Sequence, residues 1–333
     1  MSVRLRYKQD IGKRKGEKKK VSIIQIGSLE IFKQNRYYPT DIGLVSDNAY
    51  LSIVVTNKCQ CNCAYCINSE TDRSLDLPCG KALGNIRYLV EKYNVKEAIL
   101  LGGEPLLHPN ILGFISTLRL DTGLNMVRLT TNGIRLKDND AFIKELVRED
   151  IGIQGINISF HNEDFITLKN LRSIYNTIKY YNPAIKVRVN TNIWRGNLDT
   201  INSLTDHIRK ISFVDEIRIS NIISKDSFSV NTKNKGTHLI LSDKQYISLF
   251  TSLIEAYKDS YTIIDNKDTL GFVRYLLIPA KCPIIINWNL GSKVSDQICE
   301  NDIRNRKINT FKCLVSGDIS LSWNENNILD LQY

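Results

Sequence analysis

The run Tyr50-Leu51-Ser52-Ile53-Val54-Val55-Thr56 is followed, after two residues, by Cys59-Gln60-Cys61-Asn62-Cys63-Ala64-Tyr65-Cys66. The first stretch is short, apolar and β-branched, the pattern of a buried strand. The second places four of the chain's eight cysteines within eight residues, where loops between neighbours are too short for ordinary disulfides. Thiols crowded at the end of a strand point to metal chemistry. Two ligand sets compete: a four-thiolate zinc site using every cysteine, or an iron–sulfur site using Cys59, Cys63 and Cys66 at C-x3-C-x2-C spacing. Zinc sites normally pair two separated close cysteine pairs, and the remaining Cys79, Cys282, Cys299 and Cys313 supply no second one. Three thiolates on a four-iron cubane leave one iron without a protein ligand, which is the mark of an open metal site.

Outward from this stretch, strand patterns recur at Glu97–Leu101, Met126–Thr131, Gly155–Phe160, Lys186–Thr191 and Glu216–Ser220. Their centres lie about 30 residues apart, with helical patterns such as Leu83–Tyr93 and Phe165–Tyr181 between them. That period predicts parallel strands joined by right-handed crossovers, in an open sheet or a barrel. Both architectures gather chemistry at the C-terminal ends of the strands. Gly102-Gly103-Glu104-Pro105, Thr130-Thr131-Asn132-Gly133, Ser159-Phe160-His161 and Asn190-Thr191-Asn192 all fall there. The glycines permit close backbone approach, Glu104 offers an acceptor for an ammonium group, and Pro105 stiffens the turn. Hydroxyls and amides suit ribose and carboxylate recognition without adding a titratable charge.

The cysteine triplet, with Tyr65 directly before its last member, resembles the signature of the radical S-adenosylmethionine (SAM) enzymes, and Gly102 to Pro105 resembles their GGEP motif. The resemblance spans roughly residues 48 to 222. It implies an α/β fold: a partial (β/α)6 TIM-like barrel with a C-terminal α+β extension. It also implies that Cys59, Cys63 and Cys66 bind a [4Fe–4S] cluster whose open iron is chelated by SAM. Reduction would then split the sulfonium and give a 5′-deoxyadenosyl radical that abstracts hydrogen from the substrate. The expected SAM contacts are Tyr65, Gly102, Gly103, Glu104, Pro105, Thr131, Ser159 and Asn190, with an electron donor such as flavodoxin or ferredoxin as partner. Cys61 matches nothing in the motif and reads as a bystander. His161 reads as a hydrogen-bonded histidine rather than a proton donor, and no general base is named.

The organisation expected from these patterns is a basic leader and lead-in segment at 1–47, a core at 48–222 and an extension at 223–333. Residues 1 to 20 carry nine Lys/Arg against Asp10 and Glu17, so the leader holds most of the chain's formal charge of +10; a solvated leader and an anion-seeking one both fit. In the extension, Ser242-Asp243-Lys244-Gln245 predicts a capping box opening a helix with Ile247, Phe250, Ile254 and Tyr257 on one face. Phe311 to Trp323 reads as a hairpin around Ser316-Gly317-Asp318. Cys282, Cys299 and Cys313 are enough for an auxiliary iron–sulfur cluster, since some family members carry one, but scattered buried thiols are commoner.

Apolar residues make up 42% and charged residues 24% of the chain, a globular composition with no apolar run long enough to cross a bilayer. The N-terminus lacks the apolar stretch of a secretory signal, so the expected compartment is the cytoplasm. A peptide or protein substrate is expected ahead of a nucleotide or nucleic acid, because an incomplete barrel leaves a lateral opening. A non-catalytic metal- or SAM-binding module is the alternative from another class.

Overall fold

The computed structural model describes residues 35–222, apart from loop positions 40, 41, 43, 67, 69, 70 and 162–164, together with 239–259, 262–268, 272–278, 282–289, 308–321 and 327–331. The basic leader, most of the serine- and asparagine-rich 222–236 segment and Cys299 therefore lie outside the described residues.

After a short strand β1 (Asn35–Tyr37), the six expected strands appear as β2 (Val45–Thr56), β3 (Glu97–Gly102), β4 (Met126–Thr131), β5 (Gly155–Ser159), β6 (Lys186–Ile193) and β7 (Glu216–Asn221). Between them run α1 (Cys79–Tyr93), α2 (Ile111–Thr122), α3 (Asp140–Leu146), α4 (Leu168–Tyr181) and α5 (Ile201–Ile211). Each of β2 to β7 pairs in parallel with the next. Alternation explains the layering. Along β6, Val187, Val189, Thr191 and Ile193 are buried, whereas Arg188, Asn190 and Asn192 on the other face are half-buried. The apolar face is covered by helices whose own stripes match it, such as Leu171, Ile174 and Ile178 on α4. Fully burying such a side chain contributes about 1.5–3 kcal/mol.

The extension folds as α6 (Asp243–Tyr257), then β8 (Thr262–Asp268), β9 (Phe272–Ile278), β10 (Ile284–Asn289), β11 (Ile308–Cys313), β12 (Ile319–Ser320) and β13 (Asn327–Leu329). It lengthens the core sheet instead of forming a separate layer. β10 pairs in parallel with β7, and β11 in parallel with β2. Among the described residues, eight parallel strands thus stand side by side in the order β11-β2-β3-β4-β5-β6-β7-β10. Among the described residues β10 and β11 do not pair with each other, and residues 290–307 between them lie outside those described. The expected hairpin is present as β11 and β12.

The sheet is rolled. Lys312 on β11 and Arg218 on β7 line one cavity of about 400 Å³, although six inter-strand steps would separate them by about 29 Å in a flat sheet.

One expectation needs correction. The Ser242 capping box forms, with Ser242 Oγ accepting from Gln245 N and Gln245 Oε1 accepting from Ser242 N, but α6 buries Tyr246, Leu249, Phe250 and Leu253, and Ile247 is exposed. Two apolar stripes one residue apart were available. Tyr246 decides between them, because its hydroxyl donates to Ile193 O at 2.9 Å and turns that face to the end of β6.

Candidate active site

The loop after β2 leaves and returns at the same place. Asn57 N donates to Leu75 O and Leu77 N to Val55 O, at 2.9 and 3.0 Å, so the cysteines hang from a closed neck at the C-terminal end of a buried strand. Within the loop, Cys66 N donates to Cys63 O, Cys61 N approaches Cys59 Sγ at 3.4 Å, and Arg73 donates to Cys59 O. Cys59, Cys63 and Cys66 are half-buried and none is in a disulfide. All three line the cavity. Burial pushes the Cys63 thiol up, partly offset by a hydrogen bond from Tyr65.

No three His, Cys, Asp or Glu side chains among the described residues converge on one point as ligands of a single ion do. A zinc site therefore finds no ready geometry here. A cubane cluster asks for something different, because each thiolate meets its own iron. Three accessible thiols spread along one cavity-lining loop fit that donor set. Cys61 also lines the cavity but differs from them: it is buried, contacts Asn132 Nδ2 at 3.5 Å, and is pushed up to about 12 by burial and by the neighbouring Cys59 and Cys63.

The Gly102–Pro105 turn is built against this neck. Gly103 N donates to Thr56 O at 2.7 Å and Glu104 N to Lys58 O at 2.6 Å. A Cβ on Gly102 would strike Thr56 O, and one on Gly103 would strike Asn57 O and Lys58 O. That close approach is what requires glycine. Glu104 is buried, and its carboxylate accepts from Leu106 N at 3.1 Å, Thr131 Oγ1 at 2.7 Å and Asn132 N at 2.8 Å. A carboxylate has about four acceptor positions, so one remains after these three bonds. Burial raises the Glu104 pKa above the ordinary carboxylate value, opposed by those donors and by Arg135. Pro105 is buried at the start of the following 3-10 turn and does not line the cavity.

Thr131, Ser159 and Asn190, from β4, β5 and β6, line the same cavity as Tyr65, Gly102, Gly103 and Glu104. Tyr65 stacks on Trp194 with ring centroids 4.3 Å apart and meets His161 edge-on at 5.4 Å, tying the cysteine loop to the ends of β5 and β6. His161 is buried, accepts from Asn192 N through Nδ1 at 2.9 Å, and is held down to about 3 by burial and by His207. It is neutral across the physiological range.

Asn192, read from the sequence as a strand-end polar group, also lines the cavity, whereas sequence reasoning missed Arg218, Ser220 and Lys312, which line it too, as well as the Trp194 stack. Arg218 and Ser220 carry the same inward alternation as Asn190 and Asn192, a signal that was available. Lys312 pairs in register with Ser52, some 260 residues upstream, and only the folded sheet reveals it.

Cys282 and Cys313 are buried but not brought together. Cys282 precedes β10 near Asp215 and Glu216, at the N-terminal end of β7, whereas Cys313 ends β11 near Asp318 and Lys81. Both thiols are pushed up to about 12, chiefly by burial.

Comparison with known proteins agrees with this geometry. The family model described as the radical SAM superfamily matches residues 53–211. A GTP 3′,8-cyclase of Clostridium perfringens (strain SM101 / Type A) is 30% identical over 240 residues, covering 67% of this chain and 72% of the relative. A GTP 3′,8-cyclase of Staphylococcus haemolyticus is 30% identical over 212 residues, covering 58% of this chain and 61% of the relative, so the chain spans about six tenths of that protein's length. In fold, the chain is similar to Streptococcus suis SuiB bound to S-adenosylmethionine, with a TM-score of 0.54 over 85% of this chain and 61% of that one at 12% identity. Among the described residues, no helix is long and apolar enough to cross a membrane. With the cysteine loop, the glycine-glutamate turn and the strand-end polar groups facing one chamber, and with a 30% identical relative matched over most of its length, the chain belongs to the radical SAM superfamily.

Proposed function

We propose that Cys59, Cys63 and Cys66 hold a [4Fe–4S] cluster at the mouth of the cavity and that SAM lies across the ends of β3 to β6. The observation that supports this most strongly is that all three thiols share one cavity with Tyr65, Gly102, Gly103, Glu104, Thr131, Ser159 and Asn190. In the family, cluster and SAM together supply a reductively formed 5′-deoxyadenosyl radical. The chain's own residues supply position and exclusion of water. Glu104, with one acceptor position left, faces an ammonium group. Ser159 and Asn190 offer hydrogen bonds to hydroxyls and carboxylate, and the Tyr65–Trp194 stack gives a flat apolar wall beside which an adenine fits. Holding the reacting groups in place in a dry chamber is the main catalytic contribution. His161, neutral and occupied, takes no proton-transfer role.

Residues 48–222 form the catalytic core in this reading, and 223–333 complete its walls. The electron donor is a small redox protein such as flavodoxin or ferredoxin, and the compartment is the cytoplasm. For the substrate, a lateral opening in the barrel wall would suit a peptide or protein. The relatives named as GTP 3′,8-cyclases and the two cations in the cavity favour a nucleotide, and we take that as the better-supported reading.

The test is anaerobic reconstitution with iron, sulfide, dithionite and SAM. About four irons per chain and formation of 5′-deoxyadenosine are expected, both lost in Cys63→Ala. A Cys63→Ala protein that still makes 5′-deoxyadenosine sinks the ligand assignment.

A further inference from the structure

We infer that Lys312, delivered by the C-terminal strand β11, binds an anionic group of the substrate, with Arg218 closing on it from the far wall. This rests on the radical SAM reading of the same cavity and adds the chemical class of what enters it.

Apart from the cysteines, whose thiolates are committed to the cluster, the charged side chains lining the chamber are mainly cationic. Glu104 is its single lining carboxylate among the described residues, and three donors already engage it. Against it stand Lys312, only 5% exposed, and Arg218. In a confined cavity with low-dielectric walls, fields from cations are weakly screened and concentrate anions. Below the chamber the charges balance: Arg188 pairs with Glu216, and Arg128, its pKa lowered chiefly by burial and by Arg188, also lies near Glu216 and Glu97.

Two further atoms ask for a ligand. Asn190 Oδ1 and Asn157 Oδ1 are buried without a hydrogen-bond partner. Asn190 lines the cavity and stands in register with Arg218. Asn157 is 3% exposed and lies two positions before Ser159, on the same face of β5. Leaving buried acceptors unpaired is costly. Asn157 does not itself line the cavity and SAM answers the Asn190 acceptor in this reading, so it is the two cations that call for a second, anionic ligand.

The position of Lys312 separates it from the cofactor contacts. β11 stands beyond β2, four to five strands from Ser159 and Asn190, so a group held by Lys312 belongs to a molecule extending from the SAM position toward the C-terminal wall. Phosphate and carboxylate share the required chemistry.

The experiment uses the whole chain, reconstituted anaerobically with cluster and SAM, and measures binding of inorganic pyrophosphate and of succinate by calorimetry. Wild type is expected to bind at least one. Lys312→Met should weaken that binding at least tenfold, Lys312→Arg should restore it, and Arg218→Met should weaken it independently, while SAM affinity in Lys312→Met stays within threefold of wild type. Pyrophosphate preference identifies a phosphate substrate, and succinate preference a carboxylate. Binding of neither anion, unchanged binding in a folded Lys312→Met protein, or SAM affinity that falls in parallel overturns the assignment. 5′-Deoxyadenosine formation is measured separately: its absence beside intact anion binding defeats the enzyme reading alone, and its presence without anion binding defeats the subsite alone.

Discussion

Thr131 Oγ1 donates to Glu104 Oε1 at 2.7 Å, and the same hydroxyl accepts from Gly133 N at 3.1 Å. The end of β4 is thereby locked to the turn that follows β3, and the buried carboxylate is aimed at the chamber before any ligand arrives. Preorganisation of this kind spares a ligand the cost of ordering the site.

Replacing that carboxylate by its amide tests the arrangement. In Glu104→Gln the shape survives, but one end becomes a donor. Leu106 N and Thr131 Oγ1 converge on Oε1 and Asn132 N on Oε2, so either orientation of the amide faces a donor with a donor. An unmade buried hydrogen bond costs about 1–3 kcal/mol. Urea unfolding should show a loss of that size, and calorimetry should show SAM affinity reduced at least tenfold. Unchanged SAM affinity would remove Glu104 from the cofactor site.

The adjacent glycine is tested by adding one methyl group. A Cβ at position 103 meets the carbonyls of Asn57 and Lys58, which belong to rigid backbone at the neck of the cysteine loop. Gly103→Ala must therefore displace the turn and weaken the Glu104 N to Lys58 O bond. Overpacking of this kind costs about 1–3 kcal/mol. Iron content after reconstitution should fall with stability, because turn and cysteine loop share the neck. Gly84→Ala on α1, where an added Cβ meets nothing, is the control: it should leave iron content unchanged and raise stability by about 0.5–1 kcal/mol, because alanine favours a helix interior.

Which parts of this were legible beforehand follows from range. The six core strands, the capping box at Ser242 and the Ser316–Asp318 hairpin are written in local periodicity and turn chemistry, and each was found within a few residues of its expected place. Strand β2 begins at Val45 rather than Tyr50 because Ser46, Asp47 and Asn48 have no strand-like composition, and the strand reaches back only through Val45, which pairs with Ile308 on β11 across a register shift. The same long-range pairing hid Lys312. Thr131, Ser159 and Asn190 were readable as strand ends, whereas the Trp194 stack needed the rolled sheet to bring β6 beside the cysteine loop.

The stack itself predicts a modest, specific effect. Tyr65 and Trp194 lie 4.3 Å apart with an interplanar angle of 29°, and such aromatic pairs contribute about 0.5–1.5 kcal/mol beyond buried area. Tyr65→Leu keeps an apolar filler but removes the ring, so stability should fall by about 1 kcal/mol. Iron content should stay near wild type, because no thiol is removed, and SAM affinity should drop several-fold. Tyr65→Phe should recover most of that affinity. Loss of iron in Tyr65→Leu would instead make the ring a support of the cysteine loop.

Acid sensitivity should come from the histidines behind the site. His207 is buried, stacks on Phe160 at 5.7 Å and lies 3.0 Å from Thr191 Oγ1 through Nε2. The Thr191 hydroxyl gives its proton to Phe160 O at 2.9 Å, so His207 Nε2–H is the donor to Thr191 Oγ1. Burial, helped by Lys210, holds it down to about 4 from an ordinary 6.5. His161, held down to about 3, acts in the same direction. A histidine whose folded pKa lies below its unfolded value binds fewer protons folded than unfolded in that interval, so its stabilising effect is complete above about pH 6.5 and is lost as pH falls toward 4. Each such group sets a slope of up to about 1.4 kcal/mol per pH unit. Stability of the apoprotein against denaturation should therefore fall steadily as pH drops from about 6.5 to about 4.5. His207→Phe, which keeps the stack and loses the donor, should be less stable at pH 7.5 but show a shallower decline with acid. An equally steep decline in that variant would place the acid sensitivity elsewhere.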